Sequence, residues 1–354
     1  GPLDSIMYKD YYDYIVVGGG SSGCVLASRL SEDPNTKVLL LEAGSKDTHP
    51  YIHMPVGFSK MTAGPRTWGF NTVPQKHANN REIPYAQGKV LGGGSSINAE
   101  IFTRGNPADY DRWALEEGAE GWSFQDIQKY FIRSEGNTVL SGEWHGTDGP
   151  LGVSNFQNPQ EMTCAFVRSC QELGIPLNPD FNGAKQAGCG FYQLTVKNAR
   201  RCSASVGYLK PARNRSNLTI KTSVMVNRLI IESGRAVAVE YVHNGGVERA
   251  NTNLEVLVTA GAIGSPKLLM LSGIGRVKDL EAVGVDVVHN LPGVGQNLHD
   301  HFGIDIVAEL NGHYSLDKYN KLRWMLWAGA QYMLFKSGPV TSNVVEGGAF
   351  WYGD

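Results

Sequence analysis

The stretch that decides the fold lies near the start of the chain and is Tyr14-Ile15-Val16-Val17-Gly18-Gly19-Gly20-Ser21-Ser22-Gly23. Its four apolar residues predict a buried strand, and a helical pattern over residues 24–30 follows the glycines. A second apolar run, at residues 37–42, predicts another strand. Strand, glycine turn, helix and strand form a βαβ unit, and in that context a G-x-G-x-x-G pattern is typical of dinucleotide binding.

Each glycine of that pattern has a physical role in binding a dinucleotide. Gly18 permits a tight turn, Gly20 lets the backbone approach a pyrophosphate, and Gly23 lets the helix pack closely on the strand. The helix directs N–H groups and the positive end of its dipole at the phosphates. Glu42 ends the second strand, 19 residues after Gly23, where a carboxylate accepts from both ribose hydroxyls and repels a 2′-phosphate. The sequence therefore predicts a dinucleotide whose adenosine ribose carries no 2′-phosphate, either NAD or FAD.

The composition is that of a globular protein with an excess of glycine. The 354 residues are 42% hydrophobic and 19% charged, which excludes a disordered or fibrous chain. Glycine contributes 43 of them, about 12% against a usual ~7%. Lys and Arg number 32 against 34 Asp and Glu, for a net charge of −2. This balance gives no reason to expect a nucleic-acid partner.

Cysteine usage and the apolar segments indicate a cytoplasmic protein. The five cysteines are an odd number without a C-x-x-C pair, so we expect neither a disulfide framework nor a metal site. No secretory signal follows Met7, the expected native start after a segment, Gly1–Ser5, that resembles a protease-cleavage remnant. Residues 322–335 are fewer than the ~20 that a membrane span needs. They predict a packed amphipathic helix, with peripheral contact to a membrane surface as the alternative.

A second glycine-rich cluster decides between the two dinucleotides. The run is Gly88-Lys89-Val90-Leu91-Gly92-Gly93-Gly94-Ser95-Ser96-Ile97-Asn98, followed by Phe102, Gly105 and Asp111. It resembles the first signature of the glucose-methanol-choline (GMC) flavoprotein oxidoreductases. The second signature of that family resembles Gly261-Ala262, Ser265-Pro266, Leu268-Leu269 and Ser272-Gly273-Ile274-Gly275. The resemblance extends from about Tyr11 to the end of the chain and implies that FAD is the cofactor.

The resemblance also implies the fold class. We expect an α/β fold in which a Rossmann-like FAD-binding domain is interleaved with an α+β substrate-binding domain that contains an antiparallel sheet. The FAD-binding domain is expected over residues 7–150 and 211–302, and the substrate-binding domain over residues 151–210 and 303–354. Members of the family are longer, so the resemblance implies that a C-terminal part of the fold is missing from this sequence.

Both signatures predict local structure. Residues 254–259 form an apolar run that predicts a strand. Ser265 and Pro266 are expected as the N-cap and first residue of a helix that Gly273 ends. Residues 92–96 are expected to form a loop against which the flat isoalloxazine ring and the pyrophosphate lie, with backbone N–H groups directed at negative charge.

The motifs and the resemblance together define a set of candidate site residues. Those expected to bind the cofactor are Gly18, Gly20, Ser21, Ser22, Gly23, Glu42, Ala43, Trp68, Gly88, Val90, Gly92, Gly94, Ser95, Asn98, Ala99, Val224, Ala260, Gly261 and Ser265. Candidates for the wall of a substrate pocket are Asn343, Val345 and Phe350. Val224 matches the family position whose backbone pairs with adenine, with a core valine as the alternative. Ile97 stands where some relatives carry a His that attaches FAD covalently, so we expect non-covalent FAD.

The resemblance implies alcohol oxidation. In this reaction the hydroxyl loses a proton and its carbon transfers a hydride to flavin N5, while the protein orients the two reactants. The catalytic His of the family is expected beyond Asp354, in a C-terminal remainder of the same protein, so no residue of this sequence is assigned as catalytic. His299 and His301 are interpreted as structural.

Three sequence runs that are less generic than the glycine motifs favour a particular class of substrate. Residues 49–58, 74–81 and 343–348 resemble those of L-sorbose dehydrogenases, which favours oxidation of a primary alcohol of a sugar or polyol, L-sorbose to L-sorbosone. The electrons are expected to pass to a quinone, dye or redox protein rather than to oxygen. Choline-oxidising relatives carry a carboxylate where Gly303 stands, which argues against choline. The alternatives are a broader alcohol or choline-type dehydrogenase or oxidase, a hydroxynitrile lyase on the same fold, and a non-catalytic FAD-binding fragment.

Overall fold

The computed structural model describes residues 11–312 and 316–353. Residues 7–10 of the first predicted domain, with the expected start at Met7, lie outside this range, as does Asp354. The described strands are β1 (Tyr11–Val17), β2 (Val38–Leu41), β3 (Phe70–Asn71), β4 (Pro84–Tyr85), β5 (Ile101–Phe102), β6 (Glu135–Asn137), β7 (Leu151–Val153), β8 (Gly188–Phe191), β9 (Gln193–Leu194), β10 (Val196–Lys197), β11 (Arg200–Arg201), β12 (Leu218–Lys221), β13 (Met225–Glu232), β14 (Arg235–His243), β15 (Gly246–Val258), β16 (Ile274–Gly275), β17 (His289–Asn290) and β18 (Gly347–Phe350). The described α-helices are α1 (Ser21–Leu30), α2 (Pro50–His53), α3 (Pro107–Glu116), α4 (Phe124–Ser134), α5 (Glu161–Glu172), α6 (Lys210–Ala212), α7 (Gly261–Leu271), α8 (Val277–Ala282) and α9 (Leu322–Phe335). Short 3-10 helices cover Pro55–Lys60, Lys76–Ala78, Gly93–Ser96, Leu316–Asn320 and Pro339–Thr341, and a π-helix covers Ser205–Leu209.

Six strands form one mixed sheet in the order β12-β2-β1-β15-β14-β13. The first four run parallel, whereas β15, β14 and β13 form an antiparallel meander. β15 is 13 residues long, and it pairs with β14 up to Asn251 and with β1 from Asn251 onward. The predicted βαβ unit is confirmed as β1, α1 and β2, and the predicted strand at residues 254–259 is the second half of β15.

The central strands face a hydrophobic core on each side of the sheet. Ile15 and Leu39 pack in one cluster with Leu268 of α7, while Val16 and Leu40 pack in another with residues of α1. Successive side chains of a strand point to opposite faces, so neighbouring residues of β1 and β2 enter different cores. All four residues of β2 are buried, which explains its uninterrupted apolar sequence.

Helix α7 begins earlier than the sequence predicted. It starts at Gly261, so Ser265 is not its N-cap and Pro266 lies inside it. The Ser265 hydroxyl instead accepts the N–H of Ala260 at 3.0 Å, and thereby caps the strand-to-helix turn from within the helix. Pro266 has no N–H and leaves one carbonyl of the preceding turn without its helical partner. The expected end is confirmed, because the helix stops at Leu271 and Gly273 has a φ of +83°.

The described chain divides into two compact units whose boundaries differ from the predicted ones. The first unit comprises the residues up to Thr48, Thr62–Ile97 and Ala204–Ile306. The second unit comprises His49–Met61, Asn98–Ser203 and the residues from Val307 onward. Residues 98–150, predicted for the FAD-binding domain, therefore belong with the second unit, and so do residues 49–61.

Long-range polar contacts explain why residues 98–150 group in this way. Arg104 Nη2 lies 2.7 Å from Glu135 Oε1, and the other oxygen of Glu135 lies 2.7 Å from Nδ1 of His145. Nε2 of His145 lies 2.6 Å from Asp180. β5 also pairs with β9. Spacing within the sequence does not predict such pairings.

The second unit contains short strand pairs in the described residues. β5 pairs with β9, β8 with β18 and β10 with β11 in antiparallel pairs, and β6 pairs with β7 in parallel. The predicted antiparallel sheet is therefore present only as separate two-stranded pairs in this part of the chain.

Helix α9 has the predicted bounds of residues 322–335. Ala328 and Tyr332 are its buried residues, and the Tyr332 hydroxyl donates to Ala199 O at 2.8 Å. Its other large apolar side chains include the exposed Leu326 and Phe335. In residues 11–312 and 316–353 no helix is both long enough and apolar enough to cross a bilayer.

Candidate functional site

The candidate residues of the first unit gather at the carboxyl ends of the parallel strands. Gly18 follows β1, Glu42 follows β2, and Ala260 and Gly261 follow β15. The ends of β1 and β15 touch, since the Thr259 hydroxyl donates to Gly18 O at 2.8 Å. Ligands of open α/β sheets bind outside this edge.

Gly18 and Gly23 are glycines because the backbone leaves no room for a side chain. A Cβ at Gly18 would lie 2.5 Å from Thr259 O, and one at Gly23 would lie 1.8 Å from Gly18 O. Gly18 also has a φ of +100°, which disfavours other residues. These two positions support the tight turn and the close packing of helix on strand.

Glu42 is buried beside the first glycine turn. Its Oε1 accepts the N–H of Gly19 at 3.0 Å, and its Oε2 accepts the N–H of Gly44 at 2.7 Å. Burial raises the pKa of this carboxyl, and the two N–H donors oppose the rise. A carboxylate oxygen accepts more than one hydrogen bond, so Glu42 fixes the turn and retains acceptor capacity for a ribose hydroxyl. Its ribose contact stays a prediction.

The second glycine segment docks on the first. The N–H of Gly92 donates to Gly19 O at 2.7 Å, and a Cβ at Gly93 would lie 2.6 Å from the Cα of Gly20. A Cβ at Gly88 would lie 2.6 Å from the backbone of Gly93. The two motifs, some 70 residues apart in sequence, thus form one backbone surface.

Further candidate residues hold this segment in place. Val90 is buried and forms a bridge with Ser45. The Ser95 hydroxyl donates to Gly92 O at 2.5 Å and accepts the N–H of Ala204 at 3.0 Å. Ser95 therefore has a role in shaping the segment itself.

Two glycines of this surface have room for a side chain. A Cβ at Gly20 would meet its nearest atom, the Cα of Gly93, at 3.8 Å, and a Cβ at Gly94 would meet nothing within 4 Å. The protein does not require glycine at either position, so the open space fits a ligand that lies against the backbone. Gly20 is the N-cap residue of α1, and no side chain caps this end of the helix. Ser21 and Ser22 at the start of α1 are exposed. The free N–H groups of this helix end suit a pyrophosphate.

Three other candidates of the first unit have more ordinary surroundings. The Trp68 ring lies under the Lys89 ammonium at 4.7 Å. Val224 is a buried core residue whose N–H donates to Glu42 O at 3.1 Å, which leaves only its carbonyl for an adenine. Ala43 is half-buried directly after Glu42.

The candidates of the second unit lie over a buried polar cluster. Asn98 Oδ1 accepts from Arg201 Nη1 at 2.8 Å and from the N–H of Glu100 at 3.1 Å. Ala99 O accepts from Asn343 Nδ2 at 2.5 Å. Glu100 and Arg201 were not among the predicted site residues, because a charged residue outside any motif is normally exposed.

The substrate-wall candidates are not alike. Asn343 is 0% exposed, and its amide donates to Ala99 O; its place in a substrate wall stays a prediction. Val345 is 39% exposed. Phe350 packs edge-on against the ring of Phe181 at 5.0 Å. The substrate-wall role of Val345 and Phe350 also stays a prediction.

His299 and His301, which were interpreted from the sequence as structural, are both exposed. His299 Nδ1 lies 2.8 Å from Asn297 O, and the N–H of His301 donates to Asp300 at 2.8 Å. The described residues contain no group of three or more His, Cys, Asp or Glu side chains that could hold a metal ion.

Comparison with known proteins decides the family. The GMC oxidoreductase family matches residues 12–303. The chain belongs to the GMC oxidoreductase family. It is 40% identical to the mitochondrial choline dehydrogenase of Homo sapiens over 97% of this chain and 59% of that protein. It is 40% identical to an alcohol dehydrogenase [acceptor] of Pseudomonas putida over 96% of this chain and 62% of that protein.

A solved structure gives the same result. An FAD-dependent oxidoreductase from Chaetomium thermophilum superposes with a TM-score of 0.85 at 30% identity, over 95% of this chain and 61% of the other. The resemblance to the family, the fold class and FAD as the family's cofactor are thereby confirmed. The chain spans about 60% of the length of the curated relatives it matches.

Proposed function

We propose that the chain binds FAD non-covalently at the carboxyl edge of its parallel strands, and that the full-length protein oxidises an alcohol to a carbonyl compound. The observation that carries the proposal is the pair of open glycines, Gly20 and Gly94, in docked segments whose other glycines are closed off by neighbouring backbone or side-chain atoms. A ligand lying on the backbone is the physical reason to keep both positions free of a side chain.

Each part of this surface has a task in the proposal. The uncapped first turn of α1, with Ser21 and Ser22, would hold the pyrophosphate. Glu42 would accept from the adenosine ribose. The N–H groups of Gly92, Gly93 and Ser95 donate to backbone carbonyls of the chain itself, so of this segment the N–H of the exposed Gly94 would face the negative charge that develops on the ring system. When bound, FAD supplies the acceptor for the hydride at its N5, and the chain's own residues bind and orient it.

The substrate is proposed to be an alcohol of the choline or simple-alcohol class. The relatives named above are choline and alcohol dehydrogenases, and the comparisons give L-sorbose no support, so the choline-type alternative now fits better than the sugar. Gly303 stands where choline-oxidising relatives carry a carboxylate, which favours a neutral alcohol within this class. The electron acceptor is proposed to be other than oxygen, and the His that takes the hydroxyl proton stays a prediction.

Anaerobic reduction of the full-length flavoprotein tests the proposal. Choline, a series of neutral primary alcohols and L-sorbose are added separately, and the flavin absorbance at about 450 nm is followed. We expect bleaching with an alcohol of the first two kinds and a slower or absent response with L-sorbose. Retained absorbance with every alcohol, or release of cyanide from a cyanohydrin without bleaching, would contradict an alcohol-oxidising role.

A further inference from the structure

The segment Asn98–Glu100 has a backbone that needs external support. Glu100 has a φ of +65°, a conformation that residues other than glycine rarely adopt. Its N–H donates to Asn98 Oδ1 at 3.1 Å, and its carbonyl accepts the N–H of Thr195 at 2.9 Å. Surrounding groups therefore determine the conformation of this segment.

The buried side chain of Arg201 supplies much of that support. Its side chain is 0% exposed. Nε donates to Ile52 O at 2.6 Å, and Nη1 donates to both the carbonyl and Oδ1 of Asn98 at 2.8 Å. Because the guanidinium is planar and rigid, these bonds hold it in a single orientation.

The donors around Asn98 fix the orientation of its carboxamide. Oδ1 faces two N–H donors, one from Arg201 and one from Glu100. An NH2 group in that place would face donors rather than acceptors, so the assignment of oxygen and nitrogen is determined. The NH2 group therefore points away from the buried cluster, and Asn98 is itself exposed.

Glu100 does not draw the Arg201 guanidinium away from Asn98. Its nearest oxygen lies 3.3 Å from Arg201 Nη2, and neither oxygen has a hydrogen-bond partner among the described residues. Burial raises the pKa of this carboxyl to about 8, although the charge of Arg201 opposes the rise. A carboxyl that holds its proton competes weakly with Asn98 for the guanidinium.

We propose that Arg201 is a positioning residue that locks the Asn98 carboxamide with its NH2 group outward, as a hydrogen-bond donor to the bound flavin, while Glu100 completes the buried cluster. The inference rests on the proposed function, since it requires FAD beside Asn98. In this inference the buried Arg201 sets the orientation of the Asn98 carboxamide, which faces the cofactor.

A double-mutant cycle in the full-length flavoprotein tests the inference. Arg201→Lys keeps the charge but loses the forked donor geometry. We expect a lower flavin midpoint potential, an altered absorbance spectrum and roughly 10- to 100-fold slower reduction by substrate. In an Asn98→Ala background the same substitution should have no further effect on the potential. Arg200→Lys, on the exposed neighbouring arginine of β11, is the matched control and should leave all three properties unchanged.

The outcomes separate this inference from the proposed function. A wild-type protein that does not bind or reduce FAD would overturn the proposed function itself. A normal wild type, together with Arg201→Lys effects that persist fully in the Asn98→Ala background, would overturn the positioning role alone. If Arg201→Lys does not fold, the variants Asn98→Ala and Asn98→Asp decide, because both leave the buried pair of Arg201 and Glu100 in place. Flavin midpoint potentials unchanged in both variants would contradict the inference. Lowered potentials would support it.

Discussion

Gly94→Ala should weaken FAD binding while leaving the fold intact or more stable. The new Cβ would meet no protein atom within 4 Å, and Gly94 is not among the residues with a left-handed φ. Replacing such a glycine stabilises a protein by about 0.4–1 kcal/mol, because the unfolded chain loses freedom. If FAD lies against the segment, the methyl group overpacks the contact and costs about 1–3 kcal/mol. That corresponds to a roughly 5- to 150-fold rise in the Kd for FAD.

The assay measures two quantities on each variant, the Kd for FAD of the deflavinated protein and the melting temperature without FAD. Gly329→Ala is the matched control, because this glycine of α9 also has nothing within 4 Å of its Cβ position; it should gain stability and bind FAD normally. Gly23→Ala is the opposite control, since its Cβ would lie 1.8 Å from Gly18 O and should damage the fold itself. A Kd of Gly94→Ala equal to that of the wild type would refute the reasoning.

The remaining predictions concern Glu100, Glu42 and the attachment of the cofactor. The folded pKa of Glu100 is raised to about 8 from an ordinary 4.5, so the folded state holds a proton that the unfolded state has lost between these values. Stability should therefore fall as the pH rises through this window, by up to about 1.4 kcal/mol per pH unit, with Arg201 and Tyr332 as the ionisable neighbours. Urea unfolding at several pH values measures this pH dependence of the free energy of unfolding, and Glu100→Gln should remove it. A pH dependence identical to that of the wild type would contradict the prediction. Glu42→Gln should leave the N–H of Gly19 or Gly44 facing an NH2 group, which costs about 1–3 kcal/mol and raises the Kd for FAD; a melting temperature and Kd like those of the wild type would contradict this. Acid precipitation of the holoprotein should release a yellow supernatant, because Ile97 cannot form a covalent link to FAD, whereas colour in the pellet would show that the attachment is covalent.

Local patterns predicted the first unit well. The glycine pattern and the apolar runs placed β1, α1 and β2 within a few residues of their observed bounds, because a strand, a tight turn and a packed helix each leave a periodic trace in the sequence. The same patterns could not separate Gly20 from Gly23, since only the fold shows that one has space for a side chain and the other does not. Local structure and ligand space are different properties of the same motif.

Long-range contacts account for most of what the sequence did not predict. The compact units divide after Ile97 and not near residue 150, because the pairing of β5 with β9 and the contact of Arg104 with Glu135 join distant segments. The burial of Glu100 and Arg201 could not be predicted for the same reason, since the Arg201 charge is tolerated only beside partners that are remote in sequence, Ile52 and Asn98, and Glu100 is buried next to it. Ser265 was misread as an N-cap because its hydroxyl bonds to Ala260 from inside the helix.

The most direct test of the central claim is a crystal structure of the full-length protein with FAD. The account predicts the pyrophosphate over Gly20 and Gly94, within hydrogen-bond distance of the first N–H groups of α1, and a ribose hydroxyl on Glu42. FAD bound away from the carboxyl edge of β1 and β2, with both open glycines facing solvent, would contradict it.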